Sequence, residues 1–488
     1  MYNIFLPLII AVGFWGCSFH NSSDNNKKQC DLNNGGIVNV ASLQELASYA
    51  SKSNVNIKML PGEYTLNDTL LSQSLIIKKY KDGKIGSDYP IATLIHFSGN
   101  NSYYELSGVT IKIDSKLHQK FGNSHLFEIF VSGDNNTING LKVKDIGDDA
   151  PTKGAIMMHV MGDDNTISNT ELFINGSYPY GYGHLLGKGG KTIVNHKKHS
   201  SLLVSGINTK LLSCKVVTHA FGHGIVMQGA QNTLIKDCYV EGEMRSTDDM
   251  LAETSGPAYS VGFKSDYPPG EIMPNEMKSL AEDGVRTYPY GYLVGRKTKG
   301  VTVINTTVKN MRSGFDLGAN QPPTKIIDCT AIGCQEKGYA VIKDAIIKNC
   351  KGDAKYGPLL TFQGNRAENC EVELELINTE SKYPINRIAE INGKGHMITL
   401  KNHKELKRTT GIPIVFGASF WSDVHRYRKP DNDPSEFSGA YDITLINETG
   451  MPVVFEELSS GCNVVSNGKL LKDNGENNQL TYSQIVDK

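Results

Sequence analysis

The chain has 488 residues, with 50 lysines and arginines against 51 aspartates and glutamates, so its formal net charge is -1. This balance excludes a protein that binds nucleic acid through an overall basic excess, and an acidic glycan would require a local basic patch. The length exceeds the ~100–150 residues of an ordinary globular core. An elongated repeat protein escapes that limit, because each repeat packs only on its neighbours.

The N-terminus has the pattern of an export signal. The apolar run from Ile4 to Trp15 is shorter than the ~20 residues of a membrane-spanning helix, and a glycine and Cys17 follow it. This junction resembles a bacterial lipobox, with lipidation at Cys17. We therefore expect a lipoprotein-type signal peptide over residues 1–17 and a polar tether over residues 18–37, with a plain secretory signal as the alternative. The resemblance implies an exported protein of the cell envelope, either an outer-membrane lipoprotein or periplasmic, that meets a membrane only through its lipid anchor.

The first predicted element of the fold is a short helix. The run from Leu43 to Tyr49 is amphipathic, with Ser42 near its start, and a strand, a Pro61-Gly62 turn and a second strand follow it. A stack of repeats exposes apolar side chains and an unpaired edge at its open end. We expect the helix to cover that end.

A repeat of roughly 20 to 25 residues organises the chain after this opening. Each repeat contains Thr or a similar residue, two β-branched residues or leucines, and then Asn, Asp or Ser. Short β-rich runs with Gly and Asn at the corners indicate a β-solenoid, since helical repeats would need a sustained helical apolar period. We expect these register marks to lie on successive coils: Thr137, Thr166, Thr209, Thr233, Thr302, Lys325 and Ala345.

The cysteines follow the same repeat. Cys214, Cys238, Cys329 and Cys350 each end a strand-like run. Free cysteine is among the most buried residue types. We therefore predict an inward-facing ladder, with Cys214 stacked on Cys238, and leave disulfides and metal sites as the alternative.

The helical cap and first coil resemble those of right-handed parallel β-helix polysaccharide lyases, including the chondroitinase B and alginate lyase group. The whole chain is similar to the marine Bacteroidetes proteins, flavobacterial ones among them, that dehydrate ulvan oligosaccharides. The resemblance implies an all-β fold, a right-handed parallel β-helix over residues 38–375, with an N-terminal helical cap and long loops on one face. Residues 376–488 are expected to form further coils or a C-terminal β cap.

Two steps between register marks are too long, and they predict insertions at residues 177–199 and 244–299. Insertions in solenoids often become loops on the binding face. Both contain a Tyr-Pro-Tyr-Gly-Tyr phrase, whose rings would stack on sugars while the phenols bind hydroxyls. The alternative is that these rings only pin the loops to the coil. The predicted substrate-binding residues of the insertions are Tyr178, Tyr180, Tyr182, His184, Tyr288 and Tyr290.

The first insertion ends in a basic phrase over residues 195–199. We interpret it as a substrate-facing loop. Metal binding by His196 and His199 is the weaker hypothesis, because no carboxylate or cysteine lies at a suitable spacing.

Polar residues recur at equal distances from the register marks. His219, Glu243 and Arg312 share one register, His223 and Asp316 share a second, and Arg245 lies nearby. Successive coils stack ~4.8 Å apart, so these residues should be neighbours. We predict an active site with His219 or His223 in proton transfer, Arg312 or Arg245 stabilising a carboxylate, and a loop Tyr or Lys264 assisting. Glu243 and Asp316 would bind substrate. A solvated ladder of salt bridges is the alternative.

Basic side chains and histidines along an elongated groove suit a uronic-acid glycan, sulfated marine ulvan-like material in the first place. The predicted enzyme is a carbon–oxygen lyase acting by β-elimination, as a polysaccharide lyase or an oligosaccharide dehydratase. Its expected partner is an acidic oligo- or polysaccharide, without nucleic acid, and the chain is expected to be a monomer. No cofactor is assigned, although Asp248, Asp249 and Glu253 leave calcium open.

Two other classes of function remain open. A glycoside hydrolase would need two carboxylates across the scissile bond. A non-catalytic glycan-binding lipoprotein would use only the tyrosine loops. An aromatic and basic phrase over residues 420–428 is a further candidate for an edge of the groove. The carboxylates that a hydrolase could use are Glu241, Glu243, Asp248, Asp249 and Asp316.

Overall fold

The computed structural model describes residues 36–67, 72–189, 192–362, 367–404, 406, 411–417 and 439–483. The expected signal peptide, Cys17, nearly all of the tether and the phrase over residues 420–428 lie outside the described residues. Among the helices that the structure describes, none has the length and apolar character needed to cross a membrane.

The chain winds into a right-handed parallel β-helix, which confirms the predicted fold class. Each coil places strands on three faces, and almost every strand pairs in parallel with its equivalents on the neighbouring coils. The first and second faces form one 23-stranded sheet, and the third face is a 14-stranded sheet. Such a coil satisfies its backbone hydrogen bonds through the coils before and after it.

The strands of the first face are Val38–Val40, Asn56–Met59, Tyr103–Glu105, Thr137–Asn139, Thr166–Ser168, Lys210–Leu212, Gln231–Lys236, Lys299–Ile304, Gln321–Ile327, Ala345–Gly352, Glu371–Leu376, Met397–Asn402, Thr444–Glu448, Asn463–Ser466 and Gln479–Tyr482. Those of the second face are Gly62–Leu66, Val109–Asp114, Lys142–Ile146, Glu171–Asn175, Lys215–His219, Tyr239–Glu241, Thr307–Lys309 and Thr330–Ile332. From Ala345–Gly352 onward, one long strand continues both faces.

The strands of the third face are Gln73–Lys81, Lys84–Phe97, His125–Val131, Ala155–Val160, His199–Val204, Ile225–Gln228, Asp283–Tyr288, Ser313–Asp316, Lys337–Val341, Leu360–Phe362, Ala389–Ile391, Ile414–Phe416, Val453–Phe455 and Leu470–Asp473. The small strands outside the three faces are Met244–Ser246, Lys264–Asp266, Pro269–Glu271, Met277–Ser279, Tyr290–Gly291, Arg296–Lys297, Gly393–Lys394, Ala440–Tyr441 and Ser459–Ser460. The helices are Leu43–Ala50, Thr247–Leu251 and Pro257–Ser260, with a 3₁₀ helix at Ser115–Gln119.

The N-terminal helix covers the first coil. Ser42 caps it by accepting a hydrogen bond from the Glu45 amide at 3.2 Å. Leu43, Leu46 and Ala50 are buried on the side that faces the coil. The amphipathic pattern therefore predicted this cap correctly.

Corner residues in the left-handed region turn the chain from the third face to the first. Asn135, Asp164, Asn208 and Asn232 all have φ between 55° and 58°, a conformation that Asn and Asp tolerate better than other side chains. Their side chains also bond from coil to coil: the Asn208 amide donates to Asp164 at 2.9 Å. The recurring Asn and Asp of the repeat thus fix the corners.

The register marks lie on successive coils, within one residue. Thr137 pairs with Thr166, but Thr166 pairs with Lys210 rather than Thr209. Cys214 and Cys238 are buried and stacked, with the Cys214 amide 3.4 Å from the Cys238 Sγ. The inward cysteine ladder is confirmed, and the seven cysteines of the described residues are free thiols.

The first predicted insertion leaves the coil between the strands Glu171–Asn175 and His199–Val204. The second predicted insertion, a single loop over residues 244–299, is wrong, because the chain forms two loops here and not one. The strand Asp283–Tyr288 belongs to the third face and divides it into excursions over residues 242–282 and 289–298. Beyond residue 376 the parallel pairing continues as far as Gln479–Tyr482.

Candidate active-site cleft

A cleft of about 610 Å³ lies on the outer surface of the third face. One wall is the antiparallel hairpin Gln73–Lys81 and Lys84–Phe97, which folds over the first coils of this face. The opposite walls are residues 195–198 of the first excursion and the small hairpin that carries Tyr292. His223 and the outward side chains of the third face form the floor.

The cleft is strongly basic. None of its described lining residues is Asp or Glu, and Lys79, Lys153 and Lys197 form no ion pair with a described residue. Uncompensated cations in a partly enclosed site attract anionic ligands. The lysines and histidines of the lining are Lys79, Lys153, Lys197, Lys198, His125, His196 and His223.

His223 is buried at the floor with both ring nitrogens in hydrogen bonds. Its Nδ1 accepts the backbone N–H of Asp283 at 3.3 Å, and its Nε2 lies 2.9 Å from the Tyr288 hydroxyl. A neutral ring in this arrangement has its proton on Nε2, which donates to the Tyr288 oxygen. Burial lowers the pKa of His223, and Lys198 and Arg312 lower it further, against the opposing effect of Glu282 and Asp283. The ring is therefore neutral at neutral pH.

Tyr288 and His196 complete the set of neutral proton carriers. Burial raises the pKa of Tyr288 to about 12, so the phenol keeps its proton. Burial and the nearby Lys198 lower the pKa of His196 to about 4. Neither ring nitrogen of His196 has a hydrogen-bond partner among the described residues. An unpartnered neutral imidazole in the wall of a cleft can accept a proton from a ligand.

An ionic network lies directly behind His223. Glu282 Oε2 is 3.4 Å from His223 Nε2, and the second oxygen of Glu282 accepts a hydrogen bond from Lys198 at 2.8 Å. Arg312 is buried and binds Asp283 at 2.9 Å. Burial alone would raise the pKa of Glu282, but the surrounding cations lower it to about 2.

The network continues along the third face to Asp316. This buried carboxylate pairs with Arg286 and, at 2.9 Å, with Lys337. The Arg286 guanidinium also lies 5.2 Å from the centre of the Tyr288 ring. These ion pairs connect the residues behind the floor of the cleft to one another along the third face.

A second cavity, of about 230 Å³, lies further along the coil beside Glu336 and Glu390. Burial raises the pKa of Glu390 to about 7, although Arg387 lies 3.3 Å away. Glu336 is 3.8 Å from Arg312, which links this cavity to the network behind His223. Lys188 lies nearby in the first excursion, and burial lowers its pKa to about 8.

His219 and Glu243 meet as their shared register predicts, but outside the cleft. The His219 Nδ1 lies 3.1 Å from Glu243, and Tyr180 donates a hydrogen bond to the same carboxylate at 2.6 Å. The His219 side chain is 53% exposed. Arg312 does not join this column. Met311 occupies the equivalent position and faces the core, so the next residue points to Asp283 instead.

The predicted pairing of His223 with Asp316 is wrong. The equivalent of His223 on the next coil is Asp283, whose Oδ2 lies 3.5 Å from the His223 Nδ1. Asp316 pairs instead with Arg286. Equal spacing in the sequence misplaced Asp316 because the corners of the two coils differ in length.

Arg245 and Tyr182 join the two long excursions to each other. Both bind Glu253, Arg245 at 2.6 Å and Tyr182 at 2.7 Å. Tyr182 lies in a small apolar cluster between the excursions. Arg245 also donates to the Gly181 carbonyl. These contacts favour the alternative in which this tyrosine pins the loops.

The remaining predicted residues lie apart from His223. Lys264 is exposed on the hairpin Lys264–Asp266 and Pro269–Glu271, and Tyr178 is 49% exposed. His184 is buried, with its Nε2 3.9 Å from Glu336. The Tyr290 hydroxyl accepts a hydrogen bond from the Gly83 amide, which ties the small hairpin to the larger one. The described contacts therefore give the two tyrosine phrases different partners.

Each carboxylate suggested for hydrolysis or for calcium has a protein partner. Lys309 binds Glu241 at 2.8 Å, and Asp248 accepts the Asn275 amide at 2.8 Å. Asp249 accepts the hydroxyl of Ser246 and Glu253 binds Arg245. None of them lines the cleft or the second cavity.

Sequence reasoning missed most of the cleft. The basic phrase over residues 195–199 was its one visible signal, and the structure places residues 195–198 in the wall, as that interpretation expected. Lys79, His125 and Lys153 come from other coils and carry no motif of their own. Glu282 and Asp283 fell inside the region that was predicted to be a loop.

The chain is thus a right-handed parallel β-helix with a basic cleft on its third face. Comparisons with protein-family models and with curated proteins find no match. The Dettilon tailspike protein matches with a TM-score of 0.42 and 11% identity over 76% of this chain and 58% of that chain, so this chain spans little more than half of the tailspike.

Two carbohydrate-active enzymes are also among the similar solved structures. A PL6 alginate lyase in complex with a trisaccharide has a TM-score of 0.43 and 11% identity, over 94% of this chain and 87% of that one. An exopolygalacturonase from Thermotoga maritima has a TM-score of 0.39 and 10% identity, over 75% of this chain and 84% of that one. At this distance the matches carry no argument about reaction or substrate, and a function has to be argued from the cleft.

Proposed function

We propose that the protein is a carbon–oxygen lyase that acts by β-elimination on uronic-acid-containing oligo- or polysaccharides. The observation that carries the proposal is the composition of the cleft, which is lined by lysines and histidines and by no described carboxylate. An anionic sugar is complementary to this surface. A hydrolase acting in the same cleft would need two carboxylates across the scissile bond.

The unpaired lysines would hold the acidic groups of the glycan. Lys153 and Lys197 bear charges that no described residue neutralises, so a carboxylate or sulfate could bind them without breaking an existing ion pair. Lys79 lies 5.7 Å from the ring centres of both Tyr89 and Tyr292. Those rings are suited to stacking on a sugar.

His196 and the Tyr288 phenol would carry the protons. In our proposal His196 removes the proton from the carbon next to the uronate carboxylate, while the lysines stabilise the charge that develops. Tyr288 gives its proton to the leaving oxygen, and the hydrogen bond from His223 Nε2 stabilises the phenolate that remains. The carbon–oxygen bond breaks as the carbon–carbon double bond forms. When the product leaves, Tyr288 takes up a proton from water and His196 releases one to water.

The identity of the leaving oxygen distinguishes two enzymes. A glycosidic oxygen would make the protein a polysaccharide lyase, and a free hydroxyl at the chain end would make it a dehydratase. The resemblance to ulvan dehydratases stays a prediction, and sulfated ulvan-like oligosaccharides are the first substrates to try. Product masses separate the cases, because a dehydratase product lacks one water and keeps the chain length.

The direct test is incubation with a panel of uronic-acid glycans, marine and host-derived, followed by absorbance at about 235 nm and by mass spectrometry. Elimination of either kind yields an unsaturated uronate that absorbs there. New reducing ends without this absorbance would replace the proposal with hydrolysis. Binding without any product would leave a non-catalytic glycan-binding protein.

The second cavity favours hydrolysis as the second candidate. Glu390, with its pKa near 7, is the kind of protonated carboxyl that a hydrolase uses as its acid, and Glu336 lines the same cavity. Glu390→Gln separates the two functions. Hydrolysis predicts that this variant loses activity, whereas elimination in the cleft predicts a rate near that of the wild type.

We also propose that the chain is exported and anchored through Cys17, on the sequence pattern alone. A lipid-modified protein should partition into the detergent phase of a whole-cell extract, and Cys17→Ser should release it. Release of the wild-type protein into the aqueous phase would favour the plain secretory signal.

A further inference from the structure

Four buried titratable side chains meet at the corner between the second and third faces. His118 lies in the 3₁₀ helix Ser115–Gln119 and Glu128 in the strand His125–Val131 of the same coil. Asp145 comes from the next coil, and His199 from the coil after that. The side chains of His118, Glu128 and His199 are all 0% exposed. Neither the proposed elimination nor the packing of the coil requires such a cluster.

The two imidazoles present the same nitrogen to the same carboxylate. His118 Nδ1 donates to the Asp149 carbonyl at 2.7 Å, and His199 Nδ1 donates to the Asn175 carbonyl at 2.8 Å. A carbonyl only accepts, so each ring carries a proton on Nδ1 and is left with Nε2 to bind Glu128 or a metal ion. His118 Nε2 is hydrogen-bonded to Glu128 Oε1 at 2.6 Å, and His199 Nε2 lies 3.6 Å from the same oxygen.

Several atoms of the cluster have no partner in the described structure. His199 Nε2, Glu128 Oε2 and Asp145 Oδ1 are buried without a hydrogen bond. A buried polar atom in this state destabilises the fold, and more so when it is charged. The hydrogen bond from His118 uses one oxygen of Glu128, so His199 Nε2 and Glu128 Oε2 remain available to a cation that replaces the proton of that bond.

We propose that His118 Nε2, His199 Nε2 and Glu128 bind a divalent transition-metal ion, Zn²⁺ in the first place. The ligand atoms of the three side chains lie within 4.8 Å of one another. Imidazole with carboxylate is a ligand set suited to zinc and its neighbours, whereas calcium takes six to eight oxygen ligands. Backbone carbonyls that fix the Nδ1 protons are the usual outer partners of metal-binding histidines.

The ion would join the first and the third of three successive coils below the cleft. His199 directly follows Lys198, which lines the cleft and binds Glu282. A metal at this corner would hold the base of the basic loop in place, and it needs no part in the chemistry. This inference is independent of the proposed function, because it rests on the corner cluster alone.

The test is metal analysis of the purified protein by mass spectrometry, with thermal unfolding before and after removal of metal by a strong chelator. We expect about one zinc per chain, a lower melting temperature after removal, and recovery when Zn²⁺ is added. Glu128→Gln and His199→Gln should each lower zinc affinity at least ~10-fold. His159→Gln alters another buried histidine of the third face and should keep the zinc.

Three results would overturn the site. They are a chain that takes up no Zn²⁺ in titration of the metal-free protein, zinc content unchanged in both ligand variants, or zinc lost equally from His159→Gln. Because the wild-type titration needs no variant to fold, a misfolded variant does not leave the question open. Protons shared among the four side chains would then be the explanation of the cluster.

Discussion

His223 is held at the floor of the cleft by two different hydrogen bonds. The Asp283 amide fixes its Nδ1 as an acceptor, and its Nε2 lies against the Tyr288 hydroxyl. Burial keeps the ring neutral by lowering its pKa. His219 has the opposite surroundings, since its side chain is half exposed and binds only Glu243 among the described residues.

This contrast separates the two histidines that the sequence could not distinguish. His223→Ala should lower kcat by ~10²–10³, the usual cost of losing a hydrogen-bond donor that stabilises developing negative charge, and His219→Ala should stay close to the wild type. Initial rates and circular dichroism of both variants check this. A His219 variant that loses turnover while the His223 variant keeps it would move the chemistry out of the cleft.

His159 offers a prediction about stability and pH. It is fully buried between Phe127 and Phe130, and burial lowers its pKa to about 3. In the unfolded chain His159 binds a proton as the pH falls through about 6.5, whereas in the folded chain it stays neutral. The free energy that the buried neutral ring contributes to stability is therefore fully present above that pH and decreases below it. At about pH 5 the loss for this one group is roughly 2 kcal/mol.

Denaturant unfolding of the wild type and of His159→Gln at about pH 7 and pH 5 measures the contribution of His159 to the free energy of unfolding. The wild type should lose roughly 2 kcal/mol more than the variant on acidification. Comparing the two proteins cancels the opposite contributions of Glu390 and Asp353, whose pKa values burial raises to about 7 and about 6. Identical pH dependence in both proteins would refute the buried neutral state of His159.

At the scale of elements, the cleft depends on loops that hairpins and ion pairs hold in place. The hydrogen bonds of Tyr182 to Glu253 and of Arg245 to the Gly181 carbonyl join the two long excursions, and Tyr290 ties the small hairpin to the larger one. The wall that carries the basic charge is short, residues 195–198, and is followed at once by the strand His199–Val204. A strand of the coil thus anchors the substrate-facing lysines.

Lys197→Ala should raise KM about tenfold or more with little change in kcat, because a charge-assisted bond to the glycan is lost but the proton carriers stay. Steady-state kinetics with an anionic oligosaccharide measure both constants. Lys325→Ala is the matched control, since Lys325 is exposed on the first face, away from the cleft. An equal rise in KM for both variants would show that the overall positive charge of the protein, and not a specific contact of Lys197 with the glycan, determines KM.

At the scale of the whole molecule, the repeat made the fold predictable. Inward residues such as Cys214 and Cys238 recur once per coil, and left-handed Asn and Asp mark the corners. The residues at the other corner could not be aligned in the same way. On the coil of His223 that corner has five residues, 220–224, and His223 is one of them, whereas on the coil of Asp316 it has three, 310–312.

The corner cluster could not be predicted from the spacing of residues in the sequence, for a related reason. Metal binding by His199 looked weak because no carboxylate lies near it in the chain. The carboxylate is Glu128, which the winding of the coil brings to within 3.6 Å from two coils earlier. In a solenoid, residues one or more coils apart are neighbours, so chemistry that crosses coils requires an accurate register at every corner.

The central claim is that the basic cleft performs β-elimination on an anionic glycan. The measurement that tests it most directly is absorbance at about 235 nm during incubation of the wild type and of Tyr288→Phe with uronic-acid oligosaccharides. The account predicts that absorbance rises with the wild type and that the rate falls ~10²–10⁴-fold for a variant that lacks only the phenolic hydroxyl. New reducing ends without absorbance, or an undiminished rate in Tyr288→Phe, would contradict it.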